Sequence, residues 1–452
     1  MSEDDLTEGR YKEAIDFLFS FVNYERNSNW KYDSEHFNLG RVERFFDALG
    51  NPHKKGRFVH VAGTNGKGSV SSMIASALSK SGYLTGLYTS PHLISFQERI
   101  RVDGREISKQ EVVKGVARIR QVNHPMHDLT FFEVWTGLAF DHFAARSVDV
   151  SVIEVGIGGI LDTTNVITPQ VSVITSISMD HRGKLGNTVE EIAAEKAGII
   201  KYRVPVVSAP QKPGVLDILE KHAALMNTRI TCIGRDAGYH IIKGGISYSG
   251  IKWHIADQSI PLEGAFQCEN AAVALAALEA LALQGYRVTP DTARVGIAHV
   301  SWPGRLQKVA EHPMVIVDGA CNTDAMMKVR DYIRITNVNG PIVSVFGICA
   351  DKDARQVLDI LSEAVSYYVF TRADNPRAMD ARKVAELCGK SNHTVEPDSV
   401  SALKRAVSIA EPDGLVIVTG SLYLVGEIMR YYGLSGEFGE GRDQGNAVLE
   451  KV

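Results

Sequence analysis

The segment from Arg57 to Leu78 constrains the fold more than any other part of this sequence. A short apolar run, Arg57 to Ala62, leads directly into the glycine-rich stretch Gly63 to Ser69. Apolar residues then recur at the three- and four-residue spacing of a helix face that packs against a core. A strand, a glycine loop and a helix in succession direct backbone N–H groups and a helix N-terminus at an anion. The segment therefore predicts an α/β domain with a phosphate-binding loop.

Two side chains in this loop suit a nucleotide phosphate. Lys67 can reach phosphate oxygens, and the Ser69 hydroxyl can hold Mg²⁺. The loop departs from the usual G-x-x-x-x-G-K-[ST] pattern, because Gly68 separates Lys67 from Ser69 and the first spacing is shorter. A tight glycine turn without a ligand is the alternative. The predicted phosphate-contacting positions are Gly63, Thr64, Asn65, Gly66, Lys67, Gly68 and Ser69.

A carboxylate inside a second apolar run predicts a metal ion. Glu154 belongs to the run Asp149 to Val155, where a buried charge costs free energy unless it is paired or bound to a cation. Another run, Val171 to Ile177, leads to Asp180 and His181. Ligands of open α/β sheets bind at the carboxyl ends of the strands, so these groups are expected to share one crevice. We predict Mg²⁺ held by Ser69 and Glu154, with a buried salt bridge of Glu154 as the alternative.

The 452 residues are enough for two or three domains. Short apolar runs alternate with helical patterns, which is typical of a mostly parallel sheet. Three parts are predicted: a first domain (1–300), a hinge (301–306) and a smaller α/β domain (307–452). The first domain contains a small β excursion (Thr228–Leu262) and an Ala/Leu-rich helix (Asn270–Leu283). The second contains four apolar runs and ends in a loose stretch (Ser435–Gly445).

Composition excludes several classes of protein. Lys+Arg number 49 against 53 Asp+Glu, so the chain is no nucleic-acid-binding polycation. The five cysteines are far apart and predict neither a disulfide framework nor a CxxC metal site. The N-terminus is acidic, and no apolar run approaches the roughly 20 residues that span a bilayer. These features predict a cytoplasmic protein with no nucleic-acid or membrane partner.

Ten motifs in order resemble one known family. They are HVAGTNGKGSV (60–70), TSPHL with QERIRV (89–102), FFE (131–133), EVGIGG with LDTTN (154–165), ITSISMDH with LGNT and EIAAEKAGIIK (174–201), WPGRLQ (302–307), DGA-N (318–322), ADKD (350–353), NPRA (375–378) and TGSLYLV (419–425). From about Asn38 to Gly426 the chain resembles the folylpolyglutamate synthase and dihydrofolate synthase family of the Mur ligase superfamily.

The resemblance implies an ATP-dependent amide ligase with a P-loop ATPase-like first domain and a Rossmann-like second domain. In such an enzyme a folate or dihydropteroate carboxylate accepts the γ-phosphoryl group of ATP, and the amino group of L-glutamate then attacks the acyl phosphate. The implied cofactors are ATP and Mg²⁺. The family usually acts as a monomer on small-molecule substrates.

The resemblance also implies roles for individual residues. Arg305 would contact the nucleotide phosphates, Asn270 would lie near the adenine, and Asp318 would belong to the second domain's share of the nucleotide site. Lys196 would be carbamylated and hold a second Mg²⁺ beside His181, although an unmodified lysine paired with Glu191 or Glu195 is the alternative. The implied substrate residues are Ser90, Phe132, Asp162, Cys321 and Ser421.

Cys321 departs from the family pattern, since the family has a histidine there that is associated with the incoming glutamate. A thiol of ordinary pKa carries no positive charge to attract a carboxylate, although Ser421 is retained. Ile160 is a second departure, where many relatives carry a charge. The segment Asp374 to Arg377 resembles a motif by which other Mur ligases recognise diaminopimelate. A ligase with changed substrates, and a non-catalytic ATP-binding paralogue, are therefore the competing hypotheses.

Overall fold

The computed structural model describes residues 3–27, 30–122, 128–389 and 391–434, and it divides into two α/β domains. Each domain is built on its own sheet, eight-stranded in the first and six-stranded in the second. The stretch Ser435 to Gly445, predicted to be loose, lies outside the described residues.

The first domain contains eleven strands and nine helices among the residues described. Its strands are β1 (Phe58–Ala62), β2 (Thr85–Tyr88), β3 (Ile100–Val102), β4 (Arg105–Glu106), β5 (Val150–Glu154), β6 (Val171–Ile174), β7 (Val206–Ser208), β8 (Ile230–Cys232), β9 (Gly238–Ile242), β10 (Gly245–Ser249) and β11 (His254–Ser259). Its helices are α1 (Glu3–Phe19), α2 (Leu39–Ala48), α3 (Lys67–Lys80), α4 (Lys109–Gln121), α5 (Phe131–Ala145), α6 (Val189–Ala197), α7 (Pro213–Leu225), α8 (Phe266–Ala282) and α9 (Pro290–Ala298).

The strand that carries the glycine loop is central in the first sheet. The strand order is β4-β3-β2-β5-β1-β6-β7-β8, and only β3 and β4, at one edge, run antiparallel to their neighbours. Because β5 and β6 flank β1 in parallel, Glu154 lies directly beside Val61 at the carboxyl ends of the strands. Apolar residues from α3, α8 and α9 cover one face, and those from α1, α2, α4 and α5 cover the other. The sequence prediction of a mostly parallel sheet is confirmed.

The predicted β excursion is confirmed with one correction. Strands β9, β10 and β11 form a separate antiparallel sheet, as the short glycine-broken runs indicated. Strand β8, however, pairs in parallel with β7 and extends the large sheet. The helix after the excursion begins at Phe266, earlier than the predicted start at Asn270.

The second domain contains six strands and five helices in the part that the structure describes. The strands are β12 (Gln307–Glu311), β13 (Met314–Val317), β14 (Ile342–Phe346), β15 (Tyr367–Phe370), β16 (His393–Val395) and β17 (Leu415–Thr419), in the order β12-β13-β17-β14-β15-β16. The helices are α10 (Thr323–Ile335), α11 (Ala354–Leu361), α12 (Ala381–Cys388), α13 (Ser399–Ala410) and α14 (Leu422–Tyr431).

All four apolar runs predicted in the second domain are strands, and they form the parallel centre of its sheet. The prediction missed β12 and β16, which lie at the two edges. Both edge strands are largely half-exposed or exposed, so they lack the continuous apolar run of a strand buried on both faces.

The connection between the domains passes over the glycine loop. After α9 the chain turns at Ser301, whose carbonyl accepts a 3.3 Å hydrogen bond from the Ser72 hydroxyl of α3. The next residue, Trp302, lies so close to Gly68 that a Cβ there would be 2.5 Å from its ring. The limits at 300 and 307 remain predictions. None of the described helices is long and apolar enough to cross a membrane.

Candidate active site

A cavity of about 270 Å³ lies between the two domains. Its walls bring together most of the residues that the sequence nominates. These are Thr64, Asn65, Gly66, Lys67, Gly68, Ser69, Ser90, Glu154, His181, Asn270, Arg305, Asp318, Cys321 and Ser421. A smaller cavity of about 40 Å³ adjoins them, and its lining includes Gly63, Lys67, His181 and Lys196. Of the nominated residues only Phe132 and Asp162 line neither cavity.

The glycine loop is tightly packed where it enters α3. Gly66 has φ +89°, a left-handed conformation that favours glycine, and a Cβ there would lie 2.4 Å from Asn270 Oδ1. Lys67 is the first residue of α3, and its Nζ donates to the Thr64 carbonyl at 3.3 Å. The loop is further anchored to the segment just past the end of β6, because the Thr64 N–H donates to the Ser176 carbonyl at 2.8 Å. The helix N-terminus therefore opens into the cavity.

Asn270 and Ser69 are linked through one glutamine. The Gln267 side chain accepts a 2.9 Å hydrogen bond from Asn270 Nδ2 and donates to Ser69 Oγ at 3.4 Å. Helix α8 thus orients both the residue expected near the adenine and the hydroxyl expected at the metal. The glycine-loop motif alone does not reveal Gln267, since Gln267 lies almost 200 residues from Ser69 in the chain.

Glu154 has the surroundings of a cation ligand. Its side chain is buried at the end of β5, and Oε2 accepts one hydrogen bond, 3.1 Å from the Ser90 backbone N–H. Burial raises the pKa of this carboxyl, and the nearby charges of Lys67 and Arg305 oppose that rise. The alternative of a salt bridge is not observed, because Glu154 forms no ion pair with any residue that the structure describes.

His181 lies between the two cavities and lines both. Its backbone is left-handed, with φ +52°, so that the ring follows the turn after β6 into the site. Burial lowers the pKa of His181 to about 3, which keeps the imidazole neutral and able to coordinate a metal. Its Nδ1 is buried and has no hydrogen-bond partner among the described residues. A buried, neutral and unpartnered nitrogen fits a metal ligand.

Lys196 is buried in α6 beside the smaller cavity. Burial, together with the charge of Lys67, lowers the pKa of Lys196 to about 7. The expected alternative, an ion pair with Glu191 or Glu195, is absent within the described part of the chain. Glu191 instead caps α6 by accepting from the backbone N–H groups of Asn187 and Thr188. A buried amine that is substantially neutral near pH 7 can react with CO₂.

The residues expected on the acid side take different positions. Ser90 lines the large cavity, whereas the ring of Phe132 packs against Gly156 at its edge. The Asp162 carboxylate faces inward and accepts 3.0 Å hydrogen bonds from the N–H groups of Gly156 and Ile157. Asp162 therefore shapes the glycine loop after β5 and is not among the cavity-lining groups. Ile160 is exposed to solvent, 41% by surface area, and lines neither cavity.

The second domain contributes a charged and a neutral group to its side of the cavity. The Asp318 carboxylate accepts from the backbone N–H groups of Leu306 and Ala320, at 2.9 and 2.8 Å. Burial raises the pKa of Asp318, and the charge of Arg305 opposes the rise. Cys321 follows on the same loop, and burial raises the pKa of its thiol, so the group is neutral. Ser421 lies at the N-terminus of α14, and its hydroxyl accepts from the Tyr423 N–H at 3.2 Å.

Sequence reasoning missed the contacts that hold the domains together across the cavity. Lys352, from the second domain, forms an ion pair with Asp180, although both side chains are about nine-tenths buried. Burial acts to raise the pKa of Asp180, but Lys352 and His181 hold it well below its usual range. Asn322 Nδ2 also donates to Asp180, at 3.1 Å. One feature of the sequence could have indicated the Lys352–Asp180 contact. Lys352 follows the end of β14, just as His181 follows β6, so both positions lie past the carboxyl end of a strand.

A second contact joins the glycine loop itself to the second domain. Asn65 Nδ2 donates to Asp324 Oδ2 at 2.8 Å, and Asn322 Nδ2 donates to Asn65 Oδ1 at 3.0 Å. Both partners lie at the start of α10, where Asn322 is the N-cap. The domains are therefore in contact on the phosphate side of the cavity as well as beside His181.

Two family models match the chain. Residues 61–278 match the Mur ligase middle domain, and residues 304–422 match the glutamate ligase domain of Mur ligases. The folylpolyglutamate synthase of Lacticaseibacillus casei is 35% identical over 92% of this chain and 97% of its own length.

Two solved structures share the fold. The Mycobacterium tuberculosis folylpolyglutamate synthase, complexed with ADP and AMPPCP, has a TM-score of 0.85 and 30% identity, covering 95% of this chain and 99% of that one. The bifunctional folylpolyglutamate synthase/dihydrofolate synthase of Yersinia pestis, complexed with AMPPNP and a manganese ion, has a TM-score of 0.82 and 29% identity, covering 94% and 98%. With both Mur ligase domains matched in order, the chain belongs to the folylpolyglutamate synthase and dihydrofolate synthase family of Mur ligases.

Proposed function

We propose that this protein is an ATP-dependent amide ligase that joins L-glutamate to the carboxylate of a folate or a dihydropteroate. ATP is cleaved to ADP and phosphate in the same cycle. The observation that carries the proposal is the cavity between the domains, where a phosphate loop of the first domain faces Arg305, Asp318 and Ser421 of the second.

The nucleotide is proposed to bind with its phosphates on the glycine loop. The N–H groups at the start of α3, together with Lys67, neutralise the phosphate charge. Arg305 approaches from the opposite wall and adds a second cation near the γ-phosphate. Phosphoryl transfer depends chiefly on positioning and charge neutralisation, which these groups supply without a protein nucleophile. Asn270 lies behind the loop, on the side proposed for the adenine.

The donor set of the site fits Mg²⁺. Ser69 and Glu154 offer oxygen ligands, and the unpartnered Nδ1 of His181 offers a nitrogen at the adjoining cavity. A bound Mg²⁺ would draw charge from the phosphate oxygens during transfer. The family relationship to a protein solved with AMPPNP and manganese supports the same assignment.

The reaction is proposed in two steps. The acid's carboxylate oxygen attacks the γ-phosphorus, so that ADP leaves and an acyl phosphate forms. The amino nitrogen of glutamate then attacks the acyl carbon, an amide bond forms, and inorganic phosphate leaves with the former carboxylate oxygen while a proton is released. Contacts across the cavity, such as that between Asp180 and Lys352, keep the domains closed and exclude water, which would otherwise hydrolyse the acyl phosphate.

Lys196 is proposed to be carbamylated. The amine must be neutral to attack CO₂, and its burial favours the neutral form. The resulting anion would lie beside His181, where a second metal ion would compensate its charge. Incubation with ¹³C-bicarbonate and carbon NMR tests this modification, and a Lys196→Arg variant that retains the carbamate signal would refute it.

A second candidate substrate pair is favoured by one observation. Cys321 is a neutral thiol at the cavity wall, in the position where the family resemblance predicts a histidine for the incoming glutamate. An amino acid other than glutamate would then be the acceptor. The same wall retains Ser421, which favours glutamate.

The test measures ADP release by the purified protein in the presence of ATP, Mg²⁺ and L-glutamate. Three reactions are compared: one with dihydropteroate, one with tetrahydrofolate and one without an acid substrate. Acid-dependent ADP release and a product one glutamyl unit heavier by mass spectrometry are expected. Turnover only after glutamate is replaced would establish the changed amino acid, and ATP binding without turnover for any pair would favour a non-catalytic paralogue. We propose a monomer, as is usual for the family; light scattering of the purified protein tests this.

A further inference from the structure

A segment of turns and bends between α1 and α2, which we call the strap (residues 20–27 and 30–37), packs on the first domain and contacts the second. At its start, the Val22 carbonyl accepts a 2.9 Å hydrogen bond from the Phe131 N–H at the beginning of α5. At its other end, the Tyr32 hydroxyl accepts from Leu161 N–H at 3.1 Å, in the glycine loop after β5. The strap is therefore fixed to both elements that border the acid side of the cavity.

The strap carries a partly buried ion pair with the loop that follows β2. Both Glu25 carboxylate oxygens accept from the Arg99 guanidinium, at 2.8 and 2.6 Å. Arg99 is only 1% exposed, and its Nε donates to His92 Nδ1 at 3.0 Å. His92 belongs to the same loop as the cavity-lining Ser90. Glu25 thus holds the loop at the acid side of the cavity.

Arg377 of the second domain contacts the same strap residue. Its Nη1 donates to the Glu25 backbone carbonyl at 3.3 Å. Its Nη2 donates to both Asp351 carboxylate oxygens, at 2.8 and 2.7 Å, and its own carbonyl accepts from Ala350 N–H at 2.8 Å. Arg377 therefore binds the strap on one side and the 349–353 turn on the other.

The 349–353 turn faces the amino-acid side of the cavity. Cys349 and Lys352 of this turn line the cavity together with Cys321. Lys352, adjacent to Asp351, reaches across the cavity to Asp180. A continuous series of polar contacts thus runs from Ser90's loop through Arg99, Glu25, Arg377 and Asp351 to the turn that carries Lys352.

We propose that Arg377 is a positioning residue that couples the acid side of the cavity to the amino-acid side across the domain interface. This inference rests on the proposed function. With Arg377 in place, the strap and the 349–353 turn are held together, so the acid and the amine meet in a closed site. Without it the turn is free of the strap, and water reaches the acyl phosphate before the amine does.

The arrangement also bears on the diaminopimelate-like segment Asp374 to Arg377. A recognition arginine would offer its two terminal nitrogens to a substrate carboxylate. Here Nη1 and Nη2 both donate to protein oxygens, and only Nε, buried and unpartnered among the described residues, remains open. The contacts therefore assign Arg377 to the domain interface and leave diaminopimelate recognition without its arginine.

The first test uses Arg377→Ala and Arg377→Lys, with Arg382→Ala on the exposed face of α12 as the matched control. We expect Arg377→Ala to raise the KM for both the acid and glutamate by about tenfold or more, since small misplacements of reactants are costly. In the same variant, more ADP should be released than amide is formed, whereas the KM for ATP should stay unchanged. Arg377→Lys should restore part of the coupling, and Arg382→Ala should match the parent protein.

Two results would overturn the proposal. A higher KM for glutamate alone, with one ADP per amide, would show direct binding of the amino acid by Arg377. Equal losses in all kinetic constants together with a lower Tm would show a merely structural role. If Arg377→Ala fails to fold, Arg377→Lys takes its place, so at least one variant reports on the KM pattern.

The second test places the change on the strap. Glu25→Gln removes the charge that pairs with Arg99 but leaves the carbonyl that accepts from Arg377. We expect it to raise the KM for glutamate, although Glu25 lies on the acid side, and to be non-additive with Arg377→Ala in a double-mutant cycle. Additive effects would refute the coupling.

A closure measurement separates this inference from the proposed function. Small-angle scattering with Mg²⁺ and a non-hydrolysable ATP analogue should give a larger radius of gyration for Arg377→Ala than for the parent protein. If no acid and amino acid pair is turned over, the proposed function fails, but this difference still supports the positioning role. An unchanged radius of gyration would refute it.

Discussion

The two walls of the cavity are built in different ways. At the glycine loop, the wall of the first domain is formed by six consecutive residues, Thr64 to Ser69, at the junction of β1 and α3. The wall of the second domain is assembled from separate loops that carry Arg305, Cys321, Lys352 and Ser421. A site made by one local segment depends on backbone conformation, whereas an assembled wall depends on how loops and domains are held together.

The packing around each wall reflects this difference. A Cβ on Gly66 or Gly68 would meet Asn270 or Trp302 within 2.5 Å, so small residues are required at those positions of the first wall. In the second wall the contacts are ion pairs and hydrogen bonds, such as Lys352 with Asp180 and Arg377 with Asp351. Damage to the first wall should therefore abolish chemistry, whereas damage to the second should loosen and uncouple it.

The strongest test of this comparison removes the phosphate lysine of the first wall. Lys67→Ala should lower kcat by about a hundredfold to a thousandfold, the typical loss for one group that stabilises developing charge. The variant should fold normally, because Lys67 is partly exposed and is not part of the core. ADP release and thermal unfolding check both points, with Lys114→Ala on the exposed face of α4 as control. Unchanged turnover would refute the phosphate-loop assignment.

A smaller loss is expected from the second wall. Lys352→Ala leaves Asp180 buried without its cation, and removing one partner of a buried pair costs roughly 3–5 kcal/mol in the closed state. If the domains open, water solvates Asp180 and part of this free-energy cost is recovered. We therefore expect kcat to fall about ten- to hundredfold. The Kd for the ATP analogue should change little, since the glycine loop is intact. Calorimetric titration checks this against Lys383→Ala, and an equal loss of nucleotide affinity would contradict the comparison.

The two domains should also differ in acid stability. Among the residues that the structure describes, the histidines whose pKa burial lowers all precede the predicted hinge: His53, His60, His92, His142, His181 and His222. His60 in β1 has its pKa lowered to about 3, so below pH about 6.5 the unfolded chain binds a proton that the folded chain does not. The stability that neutral His60 contributes is therefore complete above pH about 6.5 and is lost progressively toward pH 3. At pH 4.5, His60 alone removes roughly 3 kcal/mol from the first domain.

Hydrogen exchange followed by mass spectrometry measures this difference. Between pH 7.5 and 4.5, after correction for the intrinsic exchange rate, β1 should lose protection well before β14. Equal loss in both strands would show that the domains unfold as one unit.

The smallest expected effect concerns Cys321. Introducing a positive or hydrogen-bonding ring by Cys321→His should lower the KM for glutamate a few-fold if the neutral thiol weakens that site. Steady-state kinetics with glutamate as the varied substrate measure it, and Cys388→His at a cysteine outside the cavity is the control. An unchanged KM would make Cys321 a packing residue.

Much of the fold was predictable because it depends on local patterns. The run Arg57 to Ala62 and the helix after it needed only the apolar periodicity and the glycines between them. The four central strands of the second sheet were recognisable for the same reason, since strands buried on both faces are continuously apolar. Edge strands β12 and β16 were not, because half-exposed residues leave no such run.

The sequence by itself therefore determined the glycine loop between β1 and α3, the positions of Glu154 and His181 after neighbouring strands, and the order of motifs that places the chain in its family. Only the tertiary structure decided that Asp162 turns inward, that Lys352 pairs with Asp180, and that Arg377 joins Asp351 to Glu25. The physical reason is distance along the chain. Residues 352 positions apart, such as Glu25 and Arg377, meet only when two folded domains close on each other, and no local pattern encodes that contact.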